Sequence, residues 1–329
     1  MKIRILSSDD VRKALPMKEA IQGMKRAFSR LSEGKVKMPL RSRVPVNDQN
    51  GVLLTMPAAI FEDGELAVKL VTVFDNNPSQ DLPLIHATVI SLDINNGQFK
   101  ALMDGEVLTN VRTGAAVGAA TDILARSDAS TVGIIGSSKL AQSLLEAVCT
   151  VRKIKKVRVF SANPEHAQKC AEEMAGKSPL PDDVRAVNSS KKAIINADIV
   201  CTATSSNTPV IAFENLKKGV HINAVGAFKP EMQEIDTETI VNAVVVADSR
   251  ESVLTEAGDL VIPIKQGIIT KDHVHAEIGE INNGTKNGRT SDEQITLFKS
   301  CGVAVQDAVS ASIVLKNAKS KNLGTLAHI

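Results

Sequence analysis

Residues 130–150 read STVGIIGSSKLAQSLLEAVCT. An apolar run over 132–135 ends in a Gly136-Ser137-Ser138 turn. Apolar residues then recur at Leu140, Leu144, Leu145 and Val148, the spacing of one helix face. Strand, small-residue turn and helix in that order are how a doubly wound fold presents a helix N-terminus to a pyrophosphate. The alternation continues downstream. Strand patterns cover 156–160, 197–202, 219–225, 244–248 and 294–300, and Asn163-Pro164-Glu165 starts a helix. This pattern predicts an α/β architecture with a Rossmann-type, doubly wound parallel sheet.

The chain before residue 130 has a different rhythm. Ser7-Ser8-Asp9-Asp10 offers a helix cap, and 17–33 reads as an amphipathic helix. Pro39 and Pro45 keep 38–46 extended, with Arg41 and Arg43 on one side of it. Strand-like runs follow at 52–56, 66–74 and 85–93. Asn95-Asn96-Gly97 is a hairpin signal leading into 99–103. An antiparallel or mixed sheet is expected here, an α+β unit. A long helix over 106–126 is rich in Ala and Gly from 114 to 120 and can pack closely on another backbone. Residues 267–290 read as loops, 303–319 as a final helix, and the last ten residues as a loose tail.

Composition excludes several function classes. Among 329 residues the formal net charge is only +2, and there is no Trp or Tyr and only eight Phe. Neither a basic face for nucleic acid nor a set of stacking platforms is present. No apolar run is long enough to span a membrane. The four cysteines, Cys149, Cys170, Cys201 and Cys301, lack metal-ligand spacing and read as reduced core residues. A cytoplasmic protein with no metal is the expectation.

The turn departs from G-x-G-x-x-G. Ser138 takes the place of the second glycine and Ala141 that of the third. Ala141 suits helix–strand packing, while Ser138 brings a hydroxyl that could donate to phosphate. The strand after the turn ends in Phe160-Ser161-Ala162-Asn163, without the carboxylate that would hold an NAD ribose. Lys139 could reach a 2′-phosphate. NADPH or NADH is therefore the expected cofactor, with NADPH or dual use favoured. A ligand-free strand-to-helix turn is the plain alternative.

Lys69 shares a strand face with Ala67, Val71 and Val73. It is either an edge residue reaching solvent or a desolvated, reactive amine. Arg112 lies on a helix face with Leu108, Ala115, Ala116 and Ala119. It needs an anion, either a ligand carboxylate held bidentately or an internal Asp or Glu. Arg41 is a second carboxylate clamp or a solvated charge. His86 fits a structural role better than a catalytic one.

With these residues in view, the chain resembles the ornithine cyclodeaminase/mu-crystallin family over nearly its whole length. The matching stretches include Pro39-Leu40-Arg41, Met56-Pro57-Ala58, Val68-Lys69-Leu70-Val71-Thr72, Met103-Asp104-Gly105 and Arg112-Thr113. Further on they are Ile222-Asn223-Ala224-Val225-Gly226-Ala227, Glu256-Ala257-Gly258-Asp259, Glu277-Ile278-Gly279-Glu280 and Phe298-Lys299-Ser300-Cys301-Gly302. The resemblance implies a homodimer. It implies a substrate-binding and dimerisation domain from 1–125 with 303–329, and a dinucleotide-binding domain over 126–302. It implies that Arg41, Lys69 and Arg112 hold a substrate carboxylate, with Lys69 also catalytic. Cofactor contacts are implied at Gly136, Ser137, Ser138, Lys139, Leu140, Ser161, Thr202, Ile222, Asn223, Ala224, Val225 and Ser300.

Cyclodeaminases of this family carry an Asp acid/base where this chain has Phe228, and a polar substrate contact where it has Leu84. Losing that acid while keeping Lys69 and the arginines favours simple imine reduction. The expected activity is conversion of the cyclic imine Δ1-pyrroline-2-carboxylate to L-proline with NAD(P)H, one context being trans-3-hydroxy-L-proline degradation. Ornithine cyclodeamination, alanine dehydrogenation or another ketimine reduction, and a non-catalytic mu-crystallin-like ligand store are the alternatives.

Overall fold

In a computed structural model the chain is described from residue 2 to residue 328, the Pro78 side chain excepted. It divides into two compact units, Met1–Arg112 with Val303–Ile329, and Thr113–Gly302. The division falls inside a helix; the family resemblance implied a boundary at 125/126, at the end of that helix. A continuous helix carries no linker signal of its own.

The first unit opens with β1 (Lys2–Leu6), α1 (Ser8–Ala14) and α2 (Met17–Ser32). Ser7 caps α1 through a reciprocal box with Asp10, satisfying amides that a helix start leaves without partners. Then come β2 (Val36–Lys37), β3 (Ser42–Val46), β4 (Gly51–Ile60), β5 (Glu65–Phe74), β6 (Ile85–Leu92) and β7 (Phe99–Asp104). The helix α3 (Gly105–Leu124) spans the division between the units.

The second unit contains β8 (Thr131–Ile135), α4 (Lys139–Val151), β9 (Lys156–Phe160), α5 (Pro164–Met174), β10 (Val184–Ala186), α6 (Ser190–Ile194) and β11 (Ile199–Thr202). It continues with β12 (His221–Ala224), α7 (Thr237–Asn242), β13 (Ala243–Ala247), α8 (Arg250–Glu256), α9 (Gly258–Lys265), β14 (Val274–Glu277), α10 (Ile278–Asn282) and β15 (Ile295–Lys299). The chain then returns to the first unit as α11 (Ala304–Ser320) and β16 (Thr325–His328).

The sheet of the first unit runs β16-β1-β7-β6-β5-β4-β2, with β3 also paired to β4. β1 and β7 are parallel; the other pairs are antiparallel. α11 lies on β4, β5 and β6 and against α2. Its contact with α2 is close, since a Cβ on Gly23 would come within 2.6 Å of Ile313 Cδ1. The C-terminal residues are not a loose tail: Lys2 pairs with His328 and Ile5 with Thr325. Residues 267–290 likewise contain β14 and α10 rather than loops alone.

The sheet of the second unit is parallel throughout, in the order β10-β9-β8-β11-β12-β15-β13-β14. Apolar clusters cover its two faces, one built around Leu144, Val148 and Val159, the other around Ile222, Val245 and Leu297. Such two-sided burial accounts for the almost uninterrupted apolar strands in the sequence. The strand order reverses between β8 and β11. In open α/β sheets, ligands bind outside the carboxyl ends of the strands at that reversal. No helix among the described residues is long and apolar enough to cross a membrane.

Gly114 tests how tightly the Ala/Gly-rich part of α3 packs. A Cβ there would stand 2.5 Å from the Ser143 carbonyl oxygen of α4. Alanine is otherwise favoured over glycine in a helix by about 1 kcal/mol. We expect Gly114→Ala to destabilise the protein by about 1–3 kcal/mol, read as a lower Tm. A raised Tm would show that the two backbones are not in such close contact.

Candidate active site

Lys69 lies in an interior strand, opposite Met56 of β4 and Val89 of β6. It is 2% exposed, so it is the desolvated amine and not the edge residue of the two sequence readings. A buried ammonium needs a counter-charge. Asp307, in the first turn of α11, supplies it: Lys69 Nζ stands 2.8 Å from Asp307 Oδ2. Arg112 Nε donates to the other oxygen, Oδ1, at 3.1 Å. Arg112 Nη1 donates to Gln306 Oε1 at 3.0 Å. Both acceptors of Arg112 are thus internal side chains. The expected bidentate clamp is reduced to the Nη2 edge, for which the described residues provide no partner. Burial pushes the Lys69 amine down to about 8; Asp307 opposes that shift, while Arg112 and Arg41 add to it. Arg41 is half-buried ahead of β3. His86 is exposed on β6.

The second unit carries a cleft of ≈ 700 Å³ at the strand reversal. Ile135 and Gly136 at the end of β8 line it, as do Phe160, Ser161 and Ala162 after β9 and Ala203 to Ser206 after β11. Gly136 has φ +119°, and a Cβ on it would lie 2.5 Å from the Ala203 carbonyl oxygen. Both facts require glycine there. Ser138 is the N-cap of α4, its Oγ accepting from Ala141 N. It has φ −70°, so this position of the turn does not need a glycine. Ser137 and Lys139 also line the cleft. Lys139 Nζ stands 3.4 Å from Glu173 Oε2 on α5.

The structure does not bring all of the expected cofactor contacts into this cleft. Leu140 packs partly buried against the core. Ile222, Asn223 and Ala224 are fully buried in β12. The Asn223 amide donates to Thr121 Oγ1. Val225 is buried at the end of β12, and Ser300 donates to Asp248 Oδ2 at 2.7 Å. Thr202 donates to Glu234 Oε2 at 2.9 Å. Apart from Leu140 in α4, these residues belong to or directly follow β11, β12 and β15.

Glu234, invisible as a site residue in the sequence, ties that floor together. Its Oε2 accepts from Thr202 Oγ1, Gly226 N and Ala227 N. Its Oε1 accepts from Thr204 N and Oγ1. Asp259 Oδ1 in turn accepts from Glu234 N and Ile235 N, and Lys299 Nζ donates to Asp259 Oδ2 at 2.7 Å. Glu234, Asp259 and Lys299 are fully buried. Burial raises the Glu234 carboxyl above its ordinary range, against the pull of Lys299. Phe228, just beyond this network, is 41% exposed.

Chemically, the first unit offers a buried amine able to give up a proton near neutrality, beside guanidinium groups suited to a carboxylate. The second offers a helix N-terminus and a glycine turn suited to phosphate. Among the described residues no group of His, Cys, Asp and Glu could hold a metal ion.

The model of the ornithine cyclodeaminase/mu-crystallin family matches residues 1–322. A Δ1-pyrroline-2-carboxylate reductase of Bacillus cereus (strain ZK / E33L) is 39% identical over 321 residues, covering 97% of this chain and 98% of the relative. The solved structure of the Thermococcus litoralis Δ1-pyrroline-2-carboxylate reductase in complex with NADH and L-proline is 41% identical, with TM-score 0.94. It aligns over 98% of this chain and 99% of that one. An archaeal alanine dehydrogenase dimer with bound NAD is 34% identical over the full length of both chains, with TM-score 0.92.

Glu234 gives this site a stability test. Glutamine keeps the shape but turns an NH2 toward donors that need an acceptor. We expect Glu234→Gln to cost about 1–3 kcal/mol and to speed amide exchange at Thr204, Gly226 and Ala227. Unchanged exchange at those three amides would remove Glu234 from its role as the tie.

Proposed function

The chain belongs to the ornithine cyclodeaminase/mu-crystallin family, and from that premise we propose that it reduces Δ1-pyrroline-2-carboxylate to L-proline with a nicotinamide cofactor. The observation that carries this reading is the buried Lys69, paired to Asp307 beside Arg112. It occurs in a chain 41% identical to a reductase whose structure holds NADH and L-proline.

The cofactor belongs in the cleft of the second unit. When bound there, NADH or NADPH supplies the hydride. Gly136, Ser137 and Ser138 and the first amides of α4, from Lys139 and Leu140, would hold its pyrophosphate. Ser161 would face the ribose. Thr202, Ile222, Asn223, Ala224, Val225 and Ser300 would serve the site from beneath, by fixing the strand ends. No carboxylate lies in 160–163, while Lys139 and Lys169 line the cleft together with Glu173. Acceptance of both cofactors follows as our reading.

In the first unit, Arg112 through Nη2, together with Arg41, would hold the substrate carboxylate. Lys69 would donate its proton to the ring nitrogen. As hydride adds to C2, the C=N π pair moves onto that nitrogen and the N–H bond forms. An amine whose proton affinity burial has lowered gives up that proton more readily than an ordinary lysine. Fixing the carboxylate and nitrogen also supplies orientation.

We further propose a homodimer formed through the first unit. Leu40, Val44, Leu82, Leu84 and Ile85 are all at least 40% exposed there, an apolar set that suits burial against a second copy. Sedimentation at the monomer mass of 35.0 kDa would rule this out. The cytoplasm is the proposed location, since none of the four cysteines forms a disulfide and a reducing compartment keeps thiols in that state.

Cofactor oxidation should be followed with Δ1-pyrroline-2-carboxylate, with pyruvate plus ammonia, and with ornithine tested for ammonia release. The imine should be the best substrate; a preference for pyruvate plus ammonia or for ornithine would overturn the reading. Lys69→Ala should lower kcat by about 10²–10⁴-fold while nucleotide binding is kept. In the wild type, kcat/KM should fall as pH rises through about 8, because the donor must carry its proton.

A further inference from the structure

We propose that Asp307 is a positioning residue of this reduction, holding Lys69 in place as a charged proton donor and fixing the angle of Arg112. The proposal rests on the imine-reductase reading above. Asp307 is 1% exposed, and its two oxygens are divided between the two cations. Oδ2 faces Lys69 Nζ at 2.8 Å and Oδ1 accepts from Arg112 Nε at 3.1 Å. With both oxygens engaged, the carboxylate does not reach a substrate. It acts through its partners.

The charged groups facing Lys69 come from three places: Asp307 on α11, Arg112 on α3, and Arg41 ahead of β3. Its neighbours on the adjacent strands, Met56 and Val89, are neutral. Asp307 is thus the anion in a set of cations. Without it, burial and two guanidiniums would act together on one amine, and all three favour loss of the proton. A neutral Lys69 has no proton to give the ring nitrogen. Arg112 would lose one of its two side-chain partners, keeping Gln306. A plain acidic residue opening a helix, there only for the helix dipole, would show none of these couplings.

The test compares wild type, Asp307→Asn, Lys69→Met and the double variant. In Asp307→Asn the alkaline limb of kcat/KM should move down by about 1–3 pH units, the imine's own titration being common to both enzymes. In ¹⁵N-lysine-labelled protein without substrate or cofactor, the Lys69 resonance should titrate lower by the same amount. If Asp307→Asn does not fold, the double variant, which has no stranded ammonium, is compared with Lys69→Met. The two should have kcat values within about twofold of each other, since residues acting as one unit are not additive, while KM rises in the double variant because Arg112 has lost Asp307. An unmoved limb and resonance in Asp307→Asn, or a further tenfold loss of kcat in the double variant, would overturn the proposal. Absence of imine reduction by the wild type would instead sink the functional reading, leaving the resonance titration to judge Asp307 alone.

Discussion

A lysine ammonium taken out of water must either lose its proton or find a carboxylate. In this chain the carboxylate for Lys69 comes from the far end of the sequence. β5 buries Lys69 in an interior strand, and α11 covers that strand face with Asp307 in its first turn. The return of the chain to the first unit after residue 302 is therefore part of how Lys69 is held. Residues 1–112 alone would leave Lys69 and Arg112 without Asp307. The same helix packs on α2, so apolar burial places the carboxylate to within the 2.8 Å that the pair needs.

The second unit solves a different problem, that of holding loop backbone still at the end of a parallel sheet. Strand pairing fixes β8, β11 and β12 only as far as their ends. Beyond them, Glu234 gathers amides from Thr204, Gly226 and Ala227 on one carboxylate, and Asp259 anchors the Glu234 backbone. Lys299 keeps its charge although burial opposes it, because Asp259 lies against it and Glu234 nearby. Three buried charges are costly, and the Lys299–Asp259 pair together with the amides and hydroxyls bonded to Glu234 and Asp259 makes them tolerable. Their geometry is also rigid, which suits a cleft wall that must keep its shape.

Much of this was legible in the sequence, and what was not has physical reasons. The helix 17–33, the strand 156–160 and the parallel alternation follow from periodicity, which local burial imposes. Lys69 and Arg112 stood out as charges on apolar faces. Asp307 did not, because an Asp in a helix's first turn already has an ordinary explanation in the helix dipole. Glu234 lies in a polar stretch where its burial leaves no periodic trace. β14 and β16 are only four residues long, and such pieces are strands through their partners rather than through their own pattern. Ser138 looked like a defect in a glycine turn; as a helix cap it needs no positive φ. Ile222 to Ala224 matched a family motif, and a motif does not say whether its side chains face a ligand or the core.

Phe228 constrains the chemistry by what it lacks. Releasing ammonia from an amino acid needs a second proton donor besides the group that manages the imine nitrogen. Reducing a preformed imine needs a single proton at nitrogen and a hydride at carbon. Among the described residues the amine paired beside Arg112 is Lys69, whose paired acid is already shared with Arg112. Phe228 cannot move a proton. A site with one deliverable proton and positive charge for a carboxylate is matched to a reaction that consumes one proton and keeps the carboxylate intact. On that stoichiometry, imine reduction suits the first unit better than cyclodeamination does.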